Sequence, residues 1–414
     1  MAKICLVNGV YPPDEFGGAE NYVQRTAVAL DNRGHDVSIL TTTSKFSRDT
    51  LDITKETRDG IQICRFYPLN VSHRSEGTGG SVFTKGIWHQ LDTVNPHVKT
   101  VVKKFLEDQK PDVVHTNNFM GISTSAAKAI SESDSRYVHT LHDYSLICPK
   151  SNLLRDKTLP GDELGVCENP PLPCRLYGKA KKRMLGQPDL VVGPSQHVID
   201  IHREHGFFEG VESRRLQHGI NSERFNCDVP VCETNKSAES TESVLYVGKH
   251  LRAKGIETLI ASAERLPNVT FHLCGTGPFD TYSSDAAERL NNVKYHGFVS
   301  EERLQQLRDE CAAAVVPSIW MENSPLTIYE SFAVGLPVIG SNIGGIPELV
   351  DESRGRLFTP ENDNELSRKI SDLIYEADRG ELRRNTRTWA KNRGLEDHIT
   401  GLTECYNIRK KPKR

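Results

Sequence analysis

The chain has 414 residues, more than one hydrophobic core of ordinary size organises, so we expect two domains of roughly 150 to 200 residues. Hydrophobic residues make up 37% of the sequence, which is enough for a core in each domain. The formal net charge of −3 excludes a global positive field of the kind that recruits nucleic acid over a whole surface. We therefore expect no nucleic-acid partner.

Neither a membrane-spanning helix nor a secretory signal is predicted. No apolar run approaches the roughly 18 residues that a spanning helix needs, and the N-terminus has only a short apolar stretch before a polar turn. The ten cysteines are scattered without a C-x-x-C pair, which is typical of reduced thiols in a core. We therefore expect a cytoplasmic protein.

The N-terminal half alternates β-branched runs with amphipathic stretches, the pattern of parallel βαβ units. A helix is predicted after the first strand, because apolar residues recur at helical spacing up to Leu30 and Gly34 suits its C-terminal cap. We expect a Rossmann-like domain over residues 1–195. Its predicted strands are Ile4–Val7, Val37–Thr42, Ile61–Phe66, Asp112–His115, Arg136–Leu141 and Leu190–Gly193.

A connecting region over residues 196–243 ends in the polar, aperiodic stretch Glu233–Ser243. A second alternation then predicts a second Rossmann-like domain over residues 244–379, with helices at Gly255–Leu266 and Pro325–Val334. Its predicted strands are Val244–Val247, Val269–Leu273, Val293–Tyr295, Ala313–Val316 and Pro337–Gly340. The expected fold class is α/β, with two doubly wound domains facing a central cleft. Ligands of such sheets bind at the carboxyl ends of the strands, so function should lie in the loops there.

The most informative loop leads into the predicted helix Pro325–Val334. Ser324 suits the N-cap, Pro325 the first helical position, and Gly335 the position after the helix. The free N–H groups and positive dipole end of such a helix bind anions of the phosphate type, here at Ser324, Pro325, Leu326 and Thr327.

Two carboxylates flank this anion site, Glu322 just before the helix and Glu330 inside it. Glu330 lies about 8 Å along the helix axis from Pro325 at ~1.5 Å per residue. A ligand with a central diphosphate and hydroxyl-rich groups at both ends fits this arrangement. The alternative is a well-capped core helix, which leaves the paired carboxylates unexplained.

A second loop, Tyr246–Gly255, crowds Lys249, Arg252 and Lys254 between a strand and the start of a helix. Cations at that end oppose the helix dipole, so an anionic ligand is the natural compensation. A diphosphate would supply the missing charge. A basic, solvated loop is the alternative interpretation.

Two loops of the N-terminal half complete the set. Gly17 and Gly18 allow backbone to approach a ligand closely, unless the loop Tyr11–Asn21 is a plain flexible turn. His142 and Asp143 follow a predicted strand, where His142 is either a ligand contact or an ordinary structural histidine.

The motifs that are missing narrow the reaction class. Gly275-Thr276-Gly277-Pro278 lacks the third glycine of a dinucleotide fingerprint, and no P-loop motif occurs. There is no D-x-D motif to hold a metal-bound diphosphate. A sugar-nucleotide enzyme built on this sequence would therefore neutralise its diphosphate with lysine, arginine and backbone amides.

Together these segments resemble the retaining glycosyltransferases of family 4, which have the GT-B fold. The resemblance covers nearly the whole chain, including a final helix at about 380–414 that in the family returns to the N-terminal domain. It is carried by the E-x7-E pair Glu322 and Glu330, the pair Gly17-Gly18, the basic loop from Lys249 to Lys254 and the loop Gly344–Glu348.

The resemblance implies that the C-terminal domain binds a nucleotide sugar and the N-terminal domain an acceptor. Glu330 would hold the ribose hydroxyls, Lys249 and Lys254 the diphosphate, and Glu322 the hydroxyls of the donor sugar. His142 would contact the sugar near the reacting carbon. The implied catalytic residues are Glu322, His142 and Lys254; the donor-binding residues are Gly17, Gly18, Lys249, Lys254, Gly275, Gly277, Phe298, Val299, Ser324, Pro325, Leu326, Thr327 and Glu330; the acceptor-binding residues are Asp14, Glu20 and Asp143.

Two positions depart from the family pattern. Lys249 stands where the family often has arginine, which loses a bidentate contact. His218–Asn221 replaces a turn that usually reads Asn-Gly-Val/Ile-Asp, which puts the role of that turn in doubt.

The expected reaction moves a hexose-type sugar, with retention, from a nucleoside diphosphate sugar to a glycan or lipid-linked acceptor. It needs neither a cofactor nor a metal and belongs to cell-surface polysaccharide or glycolipid biosynthesis. The alternatives are a sugar-nucleotide epimerase and a non-catalytic nucleotide-sugar binding module. Base, sugar and linkage are left open.

A basic cluster of Lys179, Lys181, Lys182 and Arg183, together with the tail Arg409–Arg414, favours an anionic membrane surface as a further partner. Such contacts would attach the enzyme peripherally to the inner face of the membrane. The cluster adjoins Cys148, Cys167 and Cys174, whose irregular spacing favours a covering loop over a zinc site without excluding the latter.

Overall fold

The computed structural model describes residues 1–14, 17–77, 81–155, 165–221, 225, 242–376 and 379–406. The basic tail Arg409–Arg414 and all but the last two residues of the stretch Glu233–Ser243 lie outside this range.

Strands and helices alternate along most of the described chain. The strands are β1 (Lys3–Val7), β2 (Asp36–Thr42), β3 (Thr54–Arg58), β4 (Ile61–Phe66), β5 (Val113–Thr116), β6 (Arg136–Thr140), β7 (Leu154–Arg155), β8 (Gly165–Val166), β9 (Leu190–Gly193), β10 (Ser213–Arg215), β11 (Ser243–Val247), β12 (Thr270–Cys274), β13 (Val293–Gly297), β14 (Ala313–Val316), β15 (Val338–Ser341) and β16 (Gly355–Phe358). The helices are α1 (Gly18–Asn32), α2 (Val82–Thr93), α3 (Pro96–Gln109), α4 (Ser125–Ser131), α5 (Leu172–Leu185), α6 (Gln196–Glu204), α7 (Ile256–Arg265), α8 (Asp280–Arg289), α9 (Glu301–Glu310), α10 (Leu326–Ala333), α11 (Asp363–Ile374), α12 (Arg379–Lys391) and α13 (Leu395–Tyr406).

The chain divides into two compact units. The first comprises residues 1–153, 167–216 and 399–414, and the second residues 154–166 and 217–398. Helix α12 therefore belongs to the second unit, where Trp389 packs on Phe332 of α10 with 5.3 Å between ring centroids. Most of α13 belongs to the first unit, where the Tyr406 hydroxyl and His115 Nδ1 are hydrogen-bonded at 2.9 Å.

The first unit is built on an eight-stranded sheet in the order β10-β9-β6-β5-β1-β2-β4-β3. All pairs are parallel except β3 with β4. The inner strands β1 and β5 are almost wholly buried, because helices of βαβ crossovers cover both faces of a parallel sheet. Their apolar runs made both strands predictable.

The second unit is built on a six-stranded parallel sheet in the order β13-β12-β11-β14-β15-β16. This is the Rossmann order, in which the direction of strand addition reverses between β11 and β14. Buried side chains of α10, such as Ile328 and Phe332, pack with β14 and β15 in one core. Both units are thus doubly wound, as the sequence predicted.

Strand β3 escaped prediction because its five residues, TKETR, are all exposed and show no apolar pattern. It is the antiparallel edge strand of its sheet, and charged residues there discourage pairing with other chains.

The predicted start of the helix Pro325–Val334 is wrong by one residue. Helix α10 begins at Leu326, and its N-cap is Pro325, which supplies no side-chain hydrogen bond. The Ser324 hydroxyl is instead hydrogen-bonded to the Tyr329 hydroxyl at 2.7 Å. The helix also ends one residue earlier than predicted, at Ala333, and Val334 is its C-cap. Gly335 follows the C-cap with a φ of 78°, as predicted.

Within the described residues, we find no helix that combines the length and the apolar character needed to cross a bilayer.

Candidate functional site

The two loops with the strongest chemical signals flank the reversal point of the second sheet. Residues 248–255 follow β11 and residues 317–325 follow β14, and these two strands are parallel neighbours. Parallel strands present their carboxyl ends at the same edge, which is where doubly wound sheets bind ligands. The sheet therefore explains why segments about 70 residues apart meet.

Lys254 and Glu322 form an ion pair at this edge. Lys254 Nζ lies 2.5 Å from Glu322 Oε1, and the same oxygen accepts a 2.7 Å hydrogen bond from the Ser318 hydroxyl. The side chains are 26% and 7% exposed, respectively, and Lys254 Nζ lies 4.7 Å from the ring centre of Trp320. Glu322 Oε2 makes no hydrogen bond within the described chain, so one oxygen of an oriented carboxylate is left to accept a ligand hydroxyl.

The loop Gly344–Glu348 fixes the backbone of Glu322. The amide of Gly345 donates to the carbonyl oxygen of Glu322 at 2.7 Å. Gly344 has a φ of 62°, and a Cβ there would lie 2.3 Å from that same oxygen. Glycine at this position lets one loop press against the other and hold the carboxylate in place.

Glu330 is held by an arginine that the sequence analysis did not single out. The Arg308 side chain on α9 is 1% exposed and bridges Glu330 Oε2 at 2.9 Å and Glu301 Oε1 at 3.0 Å. A buried guanidinium requires such pairing, and its fork geometry positions both carboxylates. A lone arginine in an amphipathic helix gives no local signal of this role.

Backbone contacts join the loops after β11 and β12. The amide of Gly248 donates to the carbonyl of Cys274 at 3.1 Å, and that of His250 to the carbonyl of Thr276 at 3.1 Å. Gly275 has a φ of 122°, and a Cβ there would lie 1.9 Å from the carbonyl oxygen of Gly248. A side chain at this glycine would force the loops apart.

Other predicted donor residues surround this braced edge. A Cβ on Gly277 would lie 2.5 Å from the carbonyl oxygen of His250, so it too marks a close backbone approach. Lys249 is exposed, and its carbonyl accepts a 2.8 Å hydrogen bond from the Tyr246 hydroxyl. The pKa of that hydroxyl is raised, mainly by burial and to a lesser extent by the nearby Glu322 carboxylate, so the hydroxyl stays protonated.

The turn after β13 presents the remaining base-side candidates. Phe298 is 87% exposed, and Val299 is partly buried against the core. The amide of Gly275 donates to the carbonyl of Gly297 at 2.7 Å, which ties this turn to the loop after β12. The Thr327 hydroxyl donates to the carbonyl of Val247 at 3.4 Å. The donor candidates of the second unit thus lie in loops that follow β11, β12, β13 and β14.

In the first unit, asparagines at strand ends hold the predicted polar residues. His142 Nε2 lies 2.9 Å from Asn117 Oδ1, and the Asn117 amide nitrogen faces the carbonyls of Val7 and His115. Since that nitrogen donates, Asn117 Oδ1 accepts and His142 carries its proton on Nε2. The ring also contacts Tyr22, with centroids 4.8 Å apart.

Asn8 and Asn118 link two of the predicted acceptor residues. Asn118 Nδ2 donates to Asp143 Oδ2 at 3.2 Å, and its backbone amide donates to Asn8 Oδ1 at 3.1 Å. Asn8 Nδ2 in turn donates to Glu20 Oε1 at 3.0 Å, and Glu20 is buried. Polar residues directly after the apolar strands β1 and β5 were the signal that could have identified these asparagines.

Gly17 and Gly18 lie at the start of α1. Gly17 is the N-cap and supplies no side-chain hydrogen bond, and Gly18 is the first helical residue. Asp14 Oδ2 lies 3.5 Å from the buried guanidinium of Arg65, which also donates to the carbonyl of Tyr11 at 3.2 Å. Arg65 on β4 therefore holds the first part of this loop.

The three cysteines near α5 are free thiols. Burial, and then the neighbouring Cys148 and Cys167, raises the pKa of the Cys174 thiol. Over the described ranges, no three His, Cys, Asp or Glu side chains are grouped closely enough to hold a metal ion.

Comparison with known families decides what kind of protein carries these loops. A glycosyl transferase 4-like domain matches residues 17–213, and the glycosyl transferases group 1 domain matches residues 233–393. The chain belongs to this glycosyltransferase family. The expected membership of a family-4-like glycosyltransferase family is thereby confirmed. The matched ranges include every predicted site residue of this glycosyltransferase except Asp14.

Sequence relatives cover most of the glycosyltransferase. An uncharacterized 42.6 kDa protein in the cps region of Klebsiella pneumoniae is 28% identical over 349 residues, which is 84% of this chain and 87% of the relative. The putative teichuronic acid biosynthesis glycosyltransferase TuaC of Bacillus subtilis is 25% identical over 400 residues, 90% of each chain.

Solved structures share the whole fold. Sucrose-phosphate synthase from Thermosynechococcus elongatus matches with a TM-score of 0.72 at 19% identity, covering 98% of both chains. Anabaena HepE in complex with UDP-glucose matches with a TM-score of 0.67 at 18% identity, covering 99% of this chain and 100% of HepE. The glycosyltransferase has the GT-B fold of these neighbours, with two parallel-sheet Rossmann-like domains.

Proposed function

We propose that this enzyme moves a hexose-type sugar, with retention of anomeric configuration, from a nucleoside diphosphate sugar to a glycan or lipid-linked acceptor. The observation that carries the proposal is the Lys254–Glu322 pair at the reversal point of the second sheet. A role in cell-surface polysaccharide biosynthesis is supported by relatives named for a cps region and for teichuronic acid. Nucleotide-sugar binding is supported by the neighbour solved with UDP-glucose.

The diphosphate would lie between Lys254, Lys249 and the N-terminus of α10. Pro325 leaves the first N–H groups of α10 without a side-chain cap, and these groups and the helix dipole favour an anion. Ser324, Leu326 and Thr327 belong to this turn. Lysine and backbone amides then take the part that a divalent cation plays in other transferases, so the proposed reaction needs neither a metal nor a cofactor.

The two sugars of the donor would contact the two glutamates. Glu330, oriented by Arg308, accepts hydrogen bonds from the ribose hydroxyls, and Glu322 Oε2 accepts one from the donor sugar. The base would lie over the segments that hold Gly275, Gly277, Phe298 and Val299. Exposed Phe298 has the flat apolar face on which a base stacks.

In the proposed reaction the bond between the anomeric carbon and the diphosphate oxygen breaks, and the acceptor oxygen bonds to that carbon on the same face. The acceptor proton passes to the departing diphosphate oxygen. The fixed cations stabilise the negative charge that grows on the leaving group, and electrostatic groups placed in advance are worth about 10²–10³-fold in rate.

The first unit is proposed to bind the acceptor, completed by the end of the chain. Gly17 and Gly18 would approach the phosphates, and His142 the reacting sugar, with its orientation set by Asn117. Asp143 and Asp14 have partly exposed carboxylates that can accept hydrogen bonds from hydroxyl groups of the acceptor substrate. Glu20 is buried against Asn8 and would act on the acceptor through that contact.

The proposal is tested by following nucleoside diphosphate release from a panel of nucleotide sugars, with EDTA present. Fast release that requires an acceptor supports a transferase. Isomerisation of the donor without an acceptor would instead indicate an epimerase, and tight binding without turnover a binding module. A product with inverted anomeric configuration would contradict retention alone.

A further inference from the structure

Helix α5 of the first unit presents one continuous stripe of exposed side chains. Apart from Pro173 in the first turn, the exposed positions are spaced one, three or four residues apart in a way that keeps them on one side of the helix. The stripe consists of Leu172, Arg175, Leu176, Lys179, Lys182 and Arg183.

The opposite side of α5 is fixed to the body of the unit. The Tyr177 hydroxyl donates to the carbonyl of Ser145 at 2.7 Å. Lys181 Nζ lies 2.9 Å from Asp92 Oδ2 of α2, and both side chains are fully buried. Breaking a buried pair of this kind is strongly unfavourable, so the helix cannot roll and its stripe stays outward. Lys181, counted with the basic cluster in the sequence, therefore does not face solvent.

The stripe combines exposed leucines with cations and has no acidic member. The side chains of Leu172 and Leu176 are 67% and 56% exposed, so they contribute little to the hydrophobic core of the unit. Helix α5 contains five cations and no acidic residue, in a chain whose net charge is −3. Lys182 pairs with Glu209 at 3.1 Å, and Glu168 is an exposed acid before the helix. Among the described residues no carboxylate pairs with Arg175, Lys179 or Arg183, so these three cations supply a local positive charge.

We propose that this stripe docks the enzyme onto an anionic lipid bilayer. Leu172 and Leu176 enter the boundary between headgroups and acyl chains, and Arg175, Lys179 and Arg183 contact the headgroups. An amphipathic helix with leucines and a cationic flank is typical of binding in the plane of a membrane interface. The inference goes beyond sugar transfer and does not depend on the donor.

The test is cosedimentation of the full chain with vesicles of phosphatidylcholine, with and without phosphatidylglycerol, at low and high salt. We expect binding to the anionic vesicles at low salt only. Leu172→Ser with Leu176→Ser should weaken it by tenfold or more, since burying one leucine is worth about tenfold. Arg175→Ala with Lys179→Ala should weaken it about 25-fold, at about fivefold per cation.

Leu51→Ser is the matched control, because Leu51 is an exposed leucine of the same unit that lies just before edge strand β3. This variant should bind the vesicles like the wild type. Circular dichroism checks that the exposed substitutions leave the fold intact. Absence of binding to anionic vesicles at low salt, or equal binding by all variants, overturns the proposal. So does a dimer in sedimentation velocity that the leucine variants abolish, since the stripe would then pair with a second copy. Donor turnover is assayed separately, so a failure of docking is distinguishable from a failure of the proposed reaction.

Discussion

Lys254 Nζ and Glu322 Oε1 lie 2.5 Å apart, although 68 residues separate the two in sequence. The pairing follows from sheet order, because the strands that precede them are neighbours at the reversal point. The lysine neutralises and orients the carboxylate, and the carboxylate keeps the ammonium beside the proposed anion site. Each residue has a second task in the proposed reaction, so the pair can be tested from either side.

Glu322→Gln should lower the transfer rate by about 10²–10³-fold, the range seen when one electrostatic group is removed from a preorganised site. Glutamine keeps the side-chain shape and can still accept from Ser318, so the melting temperature should change little. Glu264→Gln, which removes an exposed ion pair with Arg289 in the same unit, is the matched control and should keep the wild-type rate. A full-rate Glu322→Gln enzyme would remove Glu322 from the chemistry.

Arg308→Lys should weaken donor binding rather than the chemical step. Lysine cannot bridge Glu301 and Glu330 with a planar fork, so Glu330 loses its orientation towards the ribose. We expect about a tenfold rise in KM for the donor with kcat nearly unchanged, and a smaller preference for ribonucleoside over 2′-deoxyribonucleoside diphosphates. Glu301→Gln, which leaves the Arg308–Glu330 contact in place, should retain that preference. Equal losses in both variants would mean that Arg308 serves only the fold.

Gly344→Ala should both destabilise the second unit and inactivate the enzyme. The new Cβ would lie 2.3 Å from the carbonyl oxygen of Glu322, at a φ of 62° that alanine tolerates poorly. We expect a loss of about 2 kcal/mol or more in the free energy of unfolding. Gly86→Ala, on helix α2 with open space around the glycine, should be neutral or stabilise by about 0.5–1 kcal/mol. Urea denaturation of both variants measures the difference; equal stabilities would refute the close packing at Gly344.

Acid should destabilise the first unit through buried histidines. Burial lowers the pKa of His202 to about 4. Its Nδ1 lies 2.7 Å from the carbonyl oxygen of Val198, and its Nε2 has no partner in the described part of the chain. The unfolded state therefore takes up this proton near pH 6.5 and the folded state only near pH 4. Stability is unaffected above pH 6.5 and falls between these values by about 1.4 kcal/mol per pH unit for this residue.

His202→Phe keeps an aromatic ring beside Phe207 and Phe208 and should flatten this pH dependence. His205→Gln, at an exposed position on the same helix end, removes only the weakest contribution to the His202 pKa and should leave most of this pH dependence in place. Denaturation curves between pH 4.5 and 7 give the slopes. An unchanged slope in His202→Phe would assign the acid sensitivity to other groups.

The sequence predicted eleven of the fourteen described strands in the two large sheets and the loops that carry the donor candidates, but not β3, β10 and β16. Strands such as Leu190–Gly193 and Ala313–Val316 are continuous apolar runs, and their predicted bounds match the structure. Buried strands can be recognised because nothing polar interrupts them. Two features could not be predicted in this way. Edge strand β3 lacks an apolar pattern, and the start of α10 depends on a tertiary contact between Ser324 and Tyr329.

The supporting residues of the site were beyond sequence reasoning for a similar reason. Arg308 and Asn117 act through side chains that reach them from other elements, and no local spacing reports such contacts. Glu20 looked like an exposed carboxylate in a glycine-rich loop, and the structure buries it against Asn8. Motifs predict which loops matter, whereas orientation depends on packing.

The most direct test of the central claim is nucleoside diphosphate binding to the wild type and to Lys254→Met, measured by thermal shift in EDTA. A nucleoside diphosphate at a hundredfold excess over its dissociation constant should stabilise the wild type by about 2.7 kcal/mol, and most of that gain should vanish in the variant. No stabilisation by any nucleoside diphosphate, or a stabilisation that requires magnesium and survives the loss of Lys254, would contradict the account.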